Sequence, residues 1–175
     1  STPPPMGWRM ALTRTQRVAN SHHMCSFEQE LDLSNNQIGS DDVVALAGWL
    51  EKNRTLKRLK LHKNKIGDSG MSALAQAVVE NTALKELFVS SDDATIAAKL
   101  VGACRTREAD LSDTDDMDGA CRFVGAVLKQ TKQLENLNLS HNRIGHTGAT
   151  QLANGLSVNH TLEVLCLTGN QDGDT

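Results

Sequence analysis

The chain has 175 residues and a formal net charge of −3, with three Phe, two Trp and no Tyr. A chain of this length can bury a core, but Leu, Ile, Val and Ala must fill it, which suits thin repeated layers better than one globular centre. So small a negative charge supplies no field to recruit nucleic acid or an anionic membrane, and no apolar run approaches the ~20 residues that span a bilayer.

Residues 1–27 carry Arg9, Arg14 and Arg17 and no acid, Glu28 being the first. Such a stretch fits either the remains of an organelle-targeting leader or an ordinary basic extension. Its Ser-Thr-Pro-Pro-Pro start favours a loose or polyproline-like path. Trp8, Met10, Leu12, Val18, Met24 and Cys25 are candidates to fold over the following layer as a cap. Residues 1–26 are therefore read as an N-terminal extension or cap, and 27–175 as one repeat domain. His22, His23 and Cys25 lie together, but with no second cluster at ligand spacing they make a poor metal site. Cys25, Cys104, Cys121 and Cys166 lie far apart and read as reduced, mostly buried thiols, which points to an intracellular setting, cytoplasmic or organellar.

The rest of the chain repeats. "LKRLKLHKNKIG" sets Leu56, Leu59, Leu61, Asn64, Ile66 and Gly67 in a register that recurs 28 residues earlier as Leu31, Leu33, Asn36, Ile38 and Gly39. It recurs 28 residues later as Leu84, Leu87 and Val89, with Asp92 in the asparagine slot, and then after only 22 residues as Ala109 and Leu111, with Thr114. Two further steps of 28 give Leu134, Leu137, Leu139, Asn142 and Ile144, then Leu162, Leu165, Leu167 and Asn170. Between these matches, apolar residues fall at i, i+3, i+4 and i+7, the stripe of an amphipathic helix. The stripes are Val43, Leu46, Ala47 and Leu50; Met71, Leu74, Ala75 and Val78; Ile96, Ala97 and Leu100; Cys121, Val124, Gly125 and Leu128; and Ala149, Leu152, Ala153 and Leu156. Ser40 and Asp68 are expected N-caps, and Asn53, Asn81 and Asn159 suit left-handed C-caps. Gly67 is expected where the backbone would resist a Cβ.

Each unit is thus a short strand, a turn and a helix that buries its apolar edge only when neighbours stack on it. The pattern resembles the leucine-rich repeat family, in its 28-residue, ribonuclease-inhibitor-like class. The resemblance covers residues 28–175 and implies an α/β solenoid of about six repeats, with a short curved parallel sheet on the concave face and helices on the convex face. The third repeat is six residues short, with the deficit expected in the turn before its helix, and the last repeat lacks a helix within the sequence. The family also implies a ladder in which asparagine, with both a donor and an acceptor, satisfies turn backbone in adjacent units. Its positions here are Asn36, Asn64, Asp92, Thr114, Asn142 and Asn170. An ionised Asp92 cannot donate and Thr114 has one donor, so an irregularity is expected over residues 90–118.

Candidate chemistry is sparse. The acid-dense stretch Asp110 to Gly119 fails as a calcium loop: counted from Asp113, the sixth position is Asp118 rather than glycine and the twelfth is Val124 rather than glutamate. Asn53, Asn138 and Asn159 fit the glycosylation sequon, but the fold itself explains the first and last. No phosphate-binding glycine loop and no Ser/His/Asp or Cys/His constellation emerges, so neither enzyme activity nor a cofactor is expected. The expectation is a non-catalytic protein-interaction module, a subunit or fragment of a larger assembly. It would bind protein partners through its concave face, N-terminal extension or open C-terminal end, with no nucleic acid, membrane insertion or small-molecule substrate.

The candidate contact residues on the concave face are Arg58, Lys60, His62, Phe88, Asp110, Asn138 and Cys166. The floor is read as basic near one end, acidic near the middle and polar beyond, with Phe88 as an exposed aromatic anchor. Six strands at ~4.8 Å spacing make that floor about 24 Å long and roughly 240 Å² in area, well below the ~800 Å² per partner of a stable complex, so loops or ends must contribute. Rival readings are a regulator of GTPases resembling Ran GTPase-activating proteins, the sensing region of a nucleotide-binding-domain receptor, and an actin-filament end binder similar to tropomodulin.

Overall fold

The structure, a computed structural model, describes residues 29–89, 94–114 and 117–170. Strands and helices alternate as β1 (Glu30–Asp32), α1 (Ser40–Leu50), β2 (Arg58–Lys60), α2 (Asp68–Glu80), β3 (Glu86–Phe88), α3 (Ala94–Ala103), β4 (Glu108–Asp110), α4 (Met117–Gln130), β5 (Asn136–Asn138), α5 (His146–Leu156) and β6 (Val164–Cys166). The proposed extension over residues 1–26, the His22 to Cys25 cluster and Asp92 lie outside the described residues.

All strand pairs are parallel and in register by whole repeats: Leu31 faces Leu59, Leu59 faces Leu87, Ala109 faces Leu137 and Leu137 faces Leu165. The central residue of each strand points at the helices, and Leu59, Leu87 and Leu137 are sealed from solvent at 0–1% exposure. Pairing continues past the three-residue strands, through Leu33 N–H to Lys60 O, Asn35 N–H to His62 O and Lys57 N–H to Gln29 O. The helices form because their apolar stripes close this seam: Val43, Leu46, Ala47 and Leu50 of α1 and Met71, Leu74, Ala75 and Val78 of α2 are all buried. In α5 the stripe is only partly used; Leu152 is buried while Ala149 and Ala153 are exposed.

The expected single sheet is two sheets. β1, β2 and β3 form one and β4, β5 and β6 the other, and among the described residues no backbone hydrogen bond joins β3 to β4. The third unit explains the break. Compared with the second it has two residues fewer between strand and helix, three fewer in the helix and one fewer before the next strand. The deficit is therefore spread through the unit, not confined to one turn. Its shortened helix α3 packs against β3 and β4 instead of joining the helix layer, and α2 packs directly on α4. Leu100, Val101, Ala103 and Cys104 are buried in that position.

Three cap assignments are corrected. The N-caps are Gly39 and Gly67, not Ser40 and Asp68, and Asn81 is extended at φ −83°, not left-handed. Gly67 has an ordinary negative φ; its constraint is that a Cβ would lie 2.5 Å from the Ser40 hydroxyl, which accepts the Gly67 N–H at 2.8 Å. Among the described residues the left-handed ones stand elsewhere: Asn35, Lys63, Asp113, His141 and Gly169, each one before a described ladder position, and Gln37 and Arg143, each one after, with φ between 53° and 72°.

Candidate functional site

The turns that frame the strand face are held by side-chain amides. Asn64 accepts the N–H groups of Asn36 and Ile38, each at 3.0 Å, and donates to Leu33 O and Leu61 O, each at 2.8 Å. Asn170 repeats the arrangement, accepting from Asn142 and Ile144 and donating to Leu139 O and Leu167 O. Asn142, fully buried, donates to Leu111 O and accepts the Thr114 N–H at 2.6 Å. Asn36, in the first unit, donates to Ser34 O. Thr114 is buried, and its single hydroxyl proton serves either Asn142 Oδ1 or Leu111 O.

A second series lies at the helix ends, where the sequence places Asn53, Asn81 and Asn159 as C-caps; its bridging of neighbouring units was not read from the sequence. Asn81 Nδ2 reaches back to Leu50 O and Asn53 O, while its Oδ1 accepts from Ala83 and Leu84. Asn159 does the same with Leu128 O, Thr161 and Leu162. The 28-residue spacing of Asn53 and Asn81 was the available signal.

The outward strand positions divide into two contrasting floors. Over β1–β3, Arg58 Nε donates to Glu86 at 2.8 Å and its NH1 lies 3.7 Å from Glu30, while Lys60 reaches Glu30 at 2.9 Å. Arg58 and Lys60 are thus engaged with carboxylates on neighbouring strands, while Lys57 and Lys85 join Gln29, Glu30, Arg58 and Glu86 around a smaller hollow of about 250 Å³. Phe88 does occupy an outward slot, paired with Lys60 across the sheet, but it is 4% exposed. The Lys60 ammonium lies 5.6 Å from the ring centroid, so the aromatic is a platform for a cation of this chain and not an exposed anchor. His62 is 6% exposed and is likewise no accessible contact. Its slot lies where the turn folds back: His62 O receives the Asn35 N–H, as Ser140 O receives that of Asp113, and Ser140 is also buried.

Over β4–β6 the floor is open. Glu108, Asp110, Asn136, Asn138, Val164 and Cys166 help line a shallow hollow of about 370 Å³. Asp110 Oδ1 accepts from the Ser112 hydroxyl at 2.7 Å, the Ser112 N–H at 3.0 Å and Asn138 Nδ2 at 3.2 Å. The Ser112 hydroxyl and N–H hold its carboxyl below the ordinary aspartate value, so it stays ionised in mild acid. Asn138 Oδ1 in turn accepts the Ser140 N–H, and Cys166 is an exposed free thiol. Arg107 is drawn aside to Glu135 at 3.0 Å. The hollow therefore offers carboxylates, amides and a patch of apolar surface, a set suited to a cationic or amide-bearing segment. Among the described residues no group of three or more His, Cys, Asp and Glu is arranged to hold a metal, and no helix is long and apolar enough to cross a membrane.

No curated protein sequence matches the chain significantly. Among solved structures, the actin-binding site 2 of leiomodin-1 aligns with 93% of this chain and 80% of its own, at 19% identity and a TM-score of 0.43. A family model described as "Leucine Rich repeat" matches residues 29–47, 52–75 and 133–153. With those matches on units whose strands pair in parallel at whole-repeat register, the chain carries leucine-rich repeats.

Proposed function

We propose that the chain is a non-catalytic protein-interaction module, part of a larger assembly, and that its partner docks on the outward face of the second sheet. The observation that carries this reading is the contrast between the floors. Arg58 and Lys60 are committed to Glu30 and Glu86, whereas Glu108, Asp110, Asn138 and Cys166 surround an open hollow. Removing exposed, already ion-paired charges from water gains little for a complex, while a carboxylate that has no cation on its own sheet can pair with one brought by the partner. The hollow is small against a standard interface, so contacts extend to the exposed turn residues Asp113, His141 and Arg143.

Capture from native extract on the immobilised chain, read by mass spectrometry against Asp110→Arg and Arg58→Glu variants, tests it. A partner retained by wild type and Arg58→Glu and lost by Asp110→Arg supports the reading. Equal capture by all three moves the site off the second floor, and a monodisperse chain that captures nothing overturns the module itself. Stimulated hydrolysis in a panel of small GTPases, or altered pyrene-actin elongation, would replace it with a regulatory or filament-end role.

A further inference from the structure

The junction between the third and fourth units lacks the strand pairing that every other junction has. What spans it instead is a set of side-chain hydrogen bonds, and the junction before it, between the second and third units, is held by a cation on backbone carbonyls. Arg105 donates from NH1 to Leu84 O at 2.9 Å and from Nε and NH2 to Val78 O at 3.3 Å. Val78 O stands 28 residues after Leu50 O, the acceptor of Asn81, so the guanidinium takes the place of an asparagine of the helix-end series. Lys99 of α3 donates to Ser112 O, beyond β4, at 3.0 Å. On the helix side Arg122 of α4 reaches past the displaced α3 to α2, donating to Asp68 Oδ1 at 2.7 Å and to Ile66 O at 2.8 Å.

In a solenoid, stability is a sum of unit terms and nearest-neighbour terms, and bending concentrates where a neighbour term is weakest. A parallel ladder resists rotation along the whole strand. Lys99, Arg122 and a Gln130 Nε2 donor to the Ser72 hydroxyl at 3.4 Å resist it only at points, and the Arg122–Asp68 pair meets solvent, at 37% and 78% exposure. The α2–α4 contact is retained and supplies the axis.

We propose that this seam is a hinge between two stiff three-stranded halves, and that Arg122 is its latch. Rotation about the α2–α4 contact changes the angle between the two floors without breaking either sheet. Releasing Arg122 removes its tie to Asp68 and Ile66, leaves the α2–α4 packing and the Gln130–Ser72 bond as the axis, and leaves every strand pair intact.

Spin-label distance measurements on the whole chain test it. Cys166 is an exposed native attachment site, while burial pushes the Cys104 and Cys121 thiols up to about 12 and keeps them unreactive. With Cys25→Ser, a second label at Lys63→Cys reports across the seam, and one at Asp113→Cys reports within the second half. The expected result is a broader distribution across the seam than within the half. Arg122→Ala should broaden and shift the first and leave the second unchanged. Asp68→Asn, at an exposed side chain, should act in the same direction by a smaller amount and serves if Arg122→Ala does not fold. A cross-seam distribution as narrow as the within-half one in all variants overturns the hinge. Equal broadening of both distances overturns the latch, because it would report general loosening.

Discussion

At the junction of the first two units, β1 and β2 exchange a full parallel ladder, Asn64 closes the turns on one side and Ser40 accepts the next unit's Gly67 N–H on the other. At the junction of the third and fourth units the strands do not pair, α3 has left the helix layer, and Lys99 and Arg122 hold carbonyls across the gap, while Arg105 takes an asparagine's place at the junction before it. The difference teaches what a repeat needs. Six residues can be lost without losing the layered core, because the apolar seam tolerates a displaced helix. The backbone polar groups then need new partners, since leaving them buried and unpaired costs about 1–3 kcal/mol each.

The largest effect should come from breaking a regular junction. Leu59→Ala, at a fully buried site between two paired strands, should lower stability by about 2–5 kcal/mol in urea unfolding. Asn142→Ala should follow at about 1–3 kcal/mol, because it leaves the Thr114 N–H without its partner inside the fold, while Leu111 O keeps the Thr114 hydroxyl. A sharper test uses the seam itself. Ala109 occupies the β4 slot that holds leucine in the other five strands, and α3 packs against that strand. If the seam were mere sequence drift, Ala109→Leu would restore a regular layer and stabilise the protein. Because α3 fills the space, the substitution should instead cost about 1–3 kcal/mol by overpacking. The smallest contrast compares two helix glycines. A Cβ on Gly155 would meet the Gly125 carbonyl oxygen at 2.5 Å, so Gly155→Ala should destabilise the α4–α5 contact. Gly48 has nothing within 4 Å, and Gly48→Ala should raise stability by roughly 0.5–1 kcal/mol.

The architecture was legible because it is written in period: each leucine register and each helix stripe repeats, and stacking converts a shared period into a shared layer. Thr114 and the shortened third unit likewise marked where the regularity fails. How it fails was not legible, because the destination of α3 depends on what space β3, β4 and α2 leave, which no single unit encodes. Phe88 shows the same limit on a smaller scale. Alternation places it outward, yet it is buried, and the ammonium of Lys60 on the preceding strand, 28 residues earlier, lies over the ring. Ion pairing across strands also separates the basic residues counted along the sequence from the charge presented to a partner, as Arg58 and Lys60 demonstrate.

One feature of the turns bears on how such a surface diversifies. Asn35, Lys63, Asp113, His141 and Gly169 all hold a left-handed backbone and all are exposed, although only glycine adopts that conformation without penalty. The bend is imposed by position, so an amide, an ammonium, a carboxylate, an imidazole and a bare hydrogen occupy equivalent places along one edge of the molecule. At the first four of these places chemical character varies while the contour beneath stays the same, whereas at Gly169 a side chain would run into the His141 ring, so the row closes on a fixed glycine.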